Sequence, residues 1–89
     1  MKTMQVTIVN KLGLHARAAA KFVALSNQFN SEISVSRGER TVNGKSIMGL
    51  MMLAASKGTE IQLSAQGPDA DDALLALAAL IADRFEEEE

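Results

Sequence analysis

Residues 4–23, MQVTIVNKLGLHARAAAKFV, change from one secondary-structure pattern to another, and this change is the first indication of the fold. At the start, Met4, Val6 and Ile8 alternate with polar residues, and a period of two is typical of a half-buried strand. After the break at KLG, alanine-rich sequence with apolar residues at helical spacing predicts a helix from residue 16 to about residue 27. A strand, a short loop and a helix are therefore expected in succession.

The remaining sequence alternates between the same two patterns. SEISVSR and RTVN predict a hairpin around the turn RGE, and TEIQLSAQ predicts a fourth strand. A short second helix is expected from Ser46 to about Ala54, with Ala54 facing the sheet and Gly58 closing the helix. The clearest helix follows Asp69, its predicted N-cap, and carries an apolar stripe that includes Phe85. The terminal EEEE is expected to fray.

The order of elements is thus β-α-β-β-α-β-α. Each strand has one apolar and one polar face, which favours an antiparallel sheet covered by helices on a single side. We therefore predict an α+β protein, a two-layer open-faced sandwich, in which residues 1–89 form one domain.

Composition limits the chemistry that the chain can perform. It has no cysteine and one histidine, which exclude disulfides and cysteine nucleophiles and cannot supply a closed set of metal ligands. Neither a metal nor another cofactor is expected. The N-terminal sequence is too polar for a signal peptide, and no window approaches the roughly 18 apolar residues that span a bilayer. We expect a soluble, cytoplasmic monomer without membrane contact.

The formal net charge of −2 hides an uneven distribution. Residues 1–68 carry eight basic and three acidic side chains, whereas residues 69–89 carry one basic and eight acidic side chains. A basic body could steer the protein toward an acidic partner, but an ordinary solvated surface explains the same pattern. Nucleic acid is not favoured as a partner, because three phenylalanines without tyrosine or tryptophan offer a poor stacking platform.

The single histidine, His15, lies at or next to the N-cap of the first predicted helix, where Ser, Thr, Asn or Asp would be more stabilising. The free N–H groups of Ala16 and Arg17, together with the helix dipole, make this helix start an anion site. Arg17 adds a guanidinium that can pair with phosphate. Gly13 allows the loop to adopt a backbone conformation that residues with a Cβ disfavour.

Two interpretations of His15 follow. Unprotonated imidazole is a nucleophile at neutral pH, so a histidine beside an anion site could accept a phosphoryl group and carry it between other proteins. The alternative is a small interaction module in which the histidine is incidental.

Two motifs carry a resemblance to a known family. GLHARAAAKFV, residues 13–23, resembles the active-site signature of the HPr family, the histidine-containing phosphocarriers of the bacterial phosphotransferase system. NGKSIMGLMMLAASKGTEI, residues 43–61, resembles the second signature of the same family. The resemblance covers essentially the whole chain, and it implies the HPr-like sandwich, with a sheet of order 1-4-2-3 and three helices on one face.

The resemblance also implies roles for particular residues. His15 would be phosphorylated through Nδ1 by enzyme I, itself charged by phosphoenolpyruvate, and the group would pass to a IIA-type acceptor protein. Arg17 would stabilise the phosphate, and the protein would be a carrier rather than an enzyme. Ala18 stands where proline is commoner in the family, which is more reminiscent of the nitrogen-related branch, NPr. Because alanine is an excellent helix former, the helix start is expected to be unaffected.

The second motif combines a cap with an apolar surface. Ser46 is predicted to cap the second helix, and the resemblance implies that it is the family's regulatory serine, phosphorylated in some bacteria by an HPr serine kinase. A different arc of this helix from the one that faces the sheet carries Ile47, Met48, Met51 and Met52. They form either an exposed docking patch or additional core. The resemblance favours docking, since the family's partner-binding face is framed by the first two helices and would include Ala20.

Overall fold

The secondary-structure elements follow the predicted order, and the computed structural model describes all residues from 1 to 89. The strands are β1 (Lys2–Thr7), β2 (Glu32–Arg37), β3 (Arg40–Asn43) and β4 (Glu60–Gln66). The helices are α1 (Ala16–Ser26), α2 (Ile47–Met52) and α3 (Ala70–Ala82), followed by a 3-10 turn (Arg84–Glu86). No helix is both long enough and apolar enough to cross a membrane.

The four strands form one antiparallel sheet in the order β1-β4-β2-β3, which confirms the order that the family resemblance implies. Paired residues of the four strands form rows across the sheet, and successive rows point to opposite faces. One row, on the covered face, is apolar in all four strands: Met4, Leu63, Val35 and Val42. The adjacent row, on the open face, is polar in all four: Gln5, Gln62, Ser36 and Thr41.

The three helices cover the apolar face and close the core. α1 packs against α2 and α3, and α3 packs against β1 and β4. Phe22, Leu50 and Leu77, one from each helix, are at most 1% exposed. Burial of each such side chain contributes about 1.5–3 kcal/mol to the free energy of unfolding. This packing holds α1 in place on the sheet. The predicted α+β two-layer sandwich is confirmed.

The end of α2 differs from the prediction. The helix stops at Met52, and Ala54 takes a left-handed conformation with φ +52° and an exposed side chain. Gly58 lies further on, in the turn before β4, so the predictions that Gly58 closes α2 and that Ala54 faces the sheet are wrong. Arginines satisfy the free carbonyls instead. Arg37 donates to the carbonyls of Leu53 and Ala54, and Arg40 donates to that of Met52.

The start of α3 also differs. Asp69 precedes the helix as predicted, but its side chain makes no capping hydrogen bond. Its carboxylate instead accepts hydrogen bonds from the N–H groups of Asn30 and Ser31, at 2.9 and 3.0 Å, and from the Ser31 hydroxyl at 2.5 Å. Three donors in the turn before β2 thus compete successfully with the helix, and Asp69 ties that turn to α3.

The C-terminal segment is ordered against the body of the protein. α3 ends at Ala82, and Arg84, Phe85 and Glu86 all have positive φ angles, which reverse the chain. Phe85 therefore lies off the α3 stripe, although it is fully buried as expected. The backbone N–H of Lys11 donates to the Glu89 carbonyl at 2.9 Å. The prediction that EEEE frays is wrong, because the burial of Phe85 returns these residues to donors near α1.

Candidate functional site

A tightly packed loop between β1 and α1 positions His15. Gly13 has φ +67°, a conformation that favours glycine, and the N–H of Leu14 donates to the Ala55 carbonyl at 2.9 Å. The Leu14 side chain is buried, so the residue before the histidine is anchored in the core. His15 is the N-cap residue of α1 with φ −75° and ψ 177°, and its side chain makes no capping bond. The imidazole is therefore free for other contacts.

The start of α1 has the elements of an anion site. The N–H groups of Ala16 and Arg17 have no acceptor within the protein, as expected for the first residues of a helix. The Arg17 side chain is exposed and makes no hydrogen bond or ion pair. The dipole of α1 adds partial positive charge at the same point. Helix α1 begins at Ala16 and continues through Ala18, so the expected helix start is present.

The C-terminal segment lies over this site, a contact that the sequence did not predict. Nε2 of His15 lies 2.5 Å from Oε2 of Glu87. The other carboxylate oxygen of Glu87 accepts a hydrogen bond from Nδ2 of Asn10 at 3.1 Å. Asn10 is fully buried and also donates to the Gly13 carbonyl at 2.9 Å. Glu87 and Asn10 are thus two site residues missing from the prediction.

The Glu87 carboxylate is ionised at neutral pH. Burial alone would raise the pKa of Glu87, but the hydrogen bonds from His15 and Asn10 outweigh it, with smaller contributions from the charges of His15 and Lys21. The pKa of Glu87 therefore lies below its usual value of 4.5. An ionised carboxylate can only accept hydrogen bonds, so Nε2 of His15 is the donor in this contact.

Two lysines fix the path of the C-terminal segment. Nζ of Lys21 donates to the Phe85 carbonyl at 2.7 Å and lies 3.5 Å from the Glu86 carboxylate. Nζ of Lys11 lies 3.1 Å from the Glu89 carboxylate. Part of the charge asymmetry in the sequence is therefore used within the molecule. The sequence carried no signal for this contact, because the helical spacing of Phe85 predicts that the helix continues through it.

The second motif lies on the neighbouring helix α2. The hydroxyl of Ser46 accepts a hydrogen bond from the Gly49 N–H at 3.0 Å, so the predicted cap is present. Leu50 and Leu53 are buried, whereas Met48 is 72% exposed and Met51 is 42% exposed. Exposed large apolar side chains form a patch on this helix, which we call the α2 patch: Ile47, Met48, Met51 and Met52. Ala20 is exposed on α1, which packs against α2.

Fold and site together define a small α+β sandwich that presents one histidine at the start of a helix whose first N–H groups are free. Residues 2–83 match the family described as "PTS HPr component phosphorylation site". The chain belongs to this HPr family of phosphocarrier proteins.

Individual relatives agree with the family assignment. The chain is 52% identical over 90 residues to "Phosphocarrier protein HPr" of Pseudomonas aeruginosa, with both chains covered completely. It is 48% identical over 83 residues to "Phosphocarrier protein NPr" of Shewanella violacea, which covers 93% of this chain and 91% of the relative. The crystal structure of HPr-C-His from Thermoanaerobacter tengcongensis superimposes with a TM-score of 0.95 at 47% identity, with complete coverage of both chains. The similarity thus extends to proteins of both branches.

Proposed function

We propose that this protein, acting as a single domain in the cytoplasm, carries a phosphoryl group on Nδ1 of His15. The group would come from phosphorylated enzyme I, charged by phosphoenolpyruvate, and would pass to a IIA-type acceptor. The observation that carries the proposal is the position of His15 as the N-cap residue of α1 with an imidazole that does not cap the helix. Membership of the HPr family supports the same role.

The transfer step uses groups already present at the site. The Nδ1 lone pair of His15 forms a bond to phosphorus while the bond between phosphorus and the donor breaks, and its electron pair stays with the donor. The N–H groups of Ala16 and Arg17 and the Arg17 guanidinium are available to the phosphoryl oxygens, whose negative charge the α1 dipole also favours. In a second transfer, the bond between Nδ1 and phosphorus would break, its electron pair would return to Nδ1, and the acceptor would form the new bond to phosphorus.

The α2 patch and Ala20 are the proposed contact surface for both partners. Flexible, polarizable methionines can adapt to more than one partner surface. A phosphate on Ser46 would add negative charge beside this patch and oppose acidic partners, which makes Ser46 the proposed regulatory site.

Incubation with phosphoenolpyruvate and enzyme I tests the proposal. Mass spectrometry of the intact protein should find one added phosphate that is lost in acid, and fragmentation should assign it to His15. His15→Ala is the matched control and should remain unlabelled while keeping its circular dichroism spectrum. An unlabelled wild-type protein, with enzyme I of either branch, would exclude the carrier function.

A further inference from the structure

The contact between Glu87 and His15 joins the C-terminal segment to the start of α1, 72 residues apart in sequence. The side chain of Glu87 is 15% exposed and that of His15 is 27% exposed, so water competes weakly for this hydrogen bond. A charge-assisted hydrogen bond shielded in this way is stronger than an exposed one.

The carboxylate of Glu87 is held in place from several directions. Asn10 binds its second oxygen, and Asn10 is itself fixed by full burial and by its hydrogen bond to the Gly13 carbonyl. Two residues before Glu87, the fully buried Phe85 anchors the backbone. The carboxylate therefore meets the imidazole at a defined position and on one nitrogen only.

We infer that Glu87 is a positioning residue for His15: it holds the imidazole proton on Nε2 and so leaves the lone pair of Nδ1 available for the phosphoryl group. This inference rests on the proposed function. Neutral imidazole carries one proton, and the hydrogen bond at one nitrogen decides which nitrogen keeps it. The ionised carboxylate can only accept hydrogen bonds. In the tautomer protonated on Nδ1, the lone pair of Nε2 would therefore face a lone pair of the Glu87 oxygen, which is unfavourable at this short distance.

The same contact favours the phosphorylated state. When Nδ1 forms its bond to phosphorus, positive charge develops on the ring and Nε2 keeps its proton. Glu87 then faces the proton of a cationic ring and stabilises it. The carboxylate thus has one function before the transfer and another after it, without moving a proton.

Glu87→Gln tests the inference because a side-chain amide can either accept from a protonated Nε2 or donate to an unprotonated one. The shape of the contact is kept while the tautomer preference is lost. Glu88→Gln is the matched control, since it removes the same charge from an exposed neighbour that makes no ion pair or side-chain hydrogen bond.

The first measurement is the pair of ring ¹⁵N chemical shifts of His15 at a pH where the imidazole is neutral. In wild type and in Glu88→Gln, Nδ1 should have the shift of an unprotonated nitrogen and Nε2 that of a protonated one. In Glu87→Gln the two shifts should move toward each other. Shifts unchanged in Glu87→Gln relative to Glu88→Gln would overturn the inference.

The second measurement is the rate of phosphoryl transfer from enzyme I. Glu87→Gln should be slower on the order of tenfold, the effect of losing one charge-assisted hydrogen bond. Glu88→Gln should match wild type, and an equal rate in both variants would remove the functional part of the inference. Failure of wild type to accept phosphate would instead count against the proposed function, because the chemical shifts do not depend on phosphorylation.

Discussion

Gly13 and Ala55 lie so close that a Cβ added to Gly13 would stand 2.4 Å from the Ala55 carbonyl oxygen. That oxygen also accepts the hydrogen bond of Leu14, so the close approach fixes the loop that leads into His15. The position of the histidine thus depends on a backbone contact with the segment after α2.

Gly13→Ala should destabilise the protein for two separate reasons. The φ angle of +67° disfavours any residue with a Cβ, at about 1–2 kcal/mol, and the clash with Ala55 adds to this. Gly38→Ala is the control, because Gly38 has φ +59° with no atom near its added Cβ and so tests the backbone term alone. Urea unfolding should give a larger loss of unfolding free energy for Gly13→Ala. Equal losses would mean that the loop moves away from Ala55 at little cost.

Asp69→Asn should weaken the protein in a pH-dependent way. The hydroxyl of Ser31 is the main cause of the lowered pKa of Asp69, assisted by the N–H of Asn30 and opposed by partial burial. A carboxyl whose folded pKa lies below its usual 3.8 contributes stability that is fully present above that value. This contribution is lost as the pH falls through the folded pKa.

The test compares wild type with Asp69→Asn by thermal unfolding from pH 6 down to about pH 2. Wild type should be more stable at pH 6, and the gap should shrink below the usual pKa of 3.8. Asp71→Asn is the control, since Asp71 is exposed and has only a 4.0 Å contact with Lys2. A difference in stability that stays constant over this range would contradict the prediction, because it would show that the Asp69 contacts do not depend on the charge of the carboxylate.

Most of the architecture could be predicted because it depends on local periodicity. The row of Met4, Leu63 and Val35 is the same alternation that identifies each strand in the sequence. The ends of the helices were less predictable because they depend on distant donors and acceptors. Arg37 reaches the end of α2 from β2, and Asp69 turns away from α3 toward Ser31.

The candidate site divides in the same way. His15 and Arg17 are two residues apart at one helix start, so sequence and helix geometry were enough to predict that they occur together. Glu87 joins them only because Phe85 is buried and the positive φ angles around it reverse the chain. No local pattern encodes that reversal, and the acidic residues read by themselves predicted fraying.

Met48→Glu and Met51→Glu should each weaken binding to enzyme I with little effect on stability. Both side chains are exposed in the α2 patch, so a charge there changes the unfolding free energy by about 0.5 kcal/mol or less. At the centre of an interface the same charge should cost at least tenfold in affinity, which corresponds to about 1.4 kcal/mol. Isothermal titration calorimetry gives the affinity.

Leu75→Glu is the matched control for the α2 patch, because Leu75 is 63% exposed but lies on α3. It should bind enzyme I as wild type does. Affinities equal to that of Leu75→Glu would remove the α2 patch from the interface, and unfolding of either methionine variant would assign that methionine to the core.

Arg17→Ala should slow phosphoryl transfer while leaving the fold intact. Arg17 is exposed and makes no hydrogen bond or ion pair, so its removal takes nothing from the packing. Charge-assisted hydrogen bonds to a phosphoryl group are worth about 1.5–3 kcal/mol, which predicts a loss in rate of roughly ten- to a hundredfold. Arg17→Lys should be intermediate, because it keeps the charge but loses the planar pair of donors.

Rapid-quench measurement with phosphorylated enzyme I gives the rate of transfer. Lys57→Ala is the control, because it removes an exposed charge elsewhere and should leave the rate unchanged. If Arg17→Ala transferred phosphate as fast as Lys57→Ala, the anion site would consist of the α1 backbone alone.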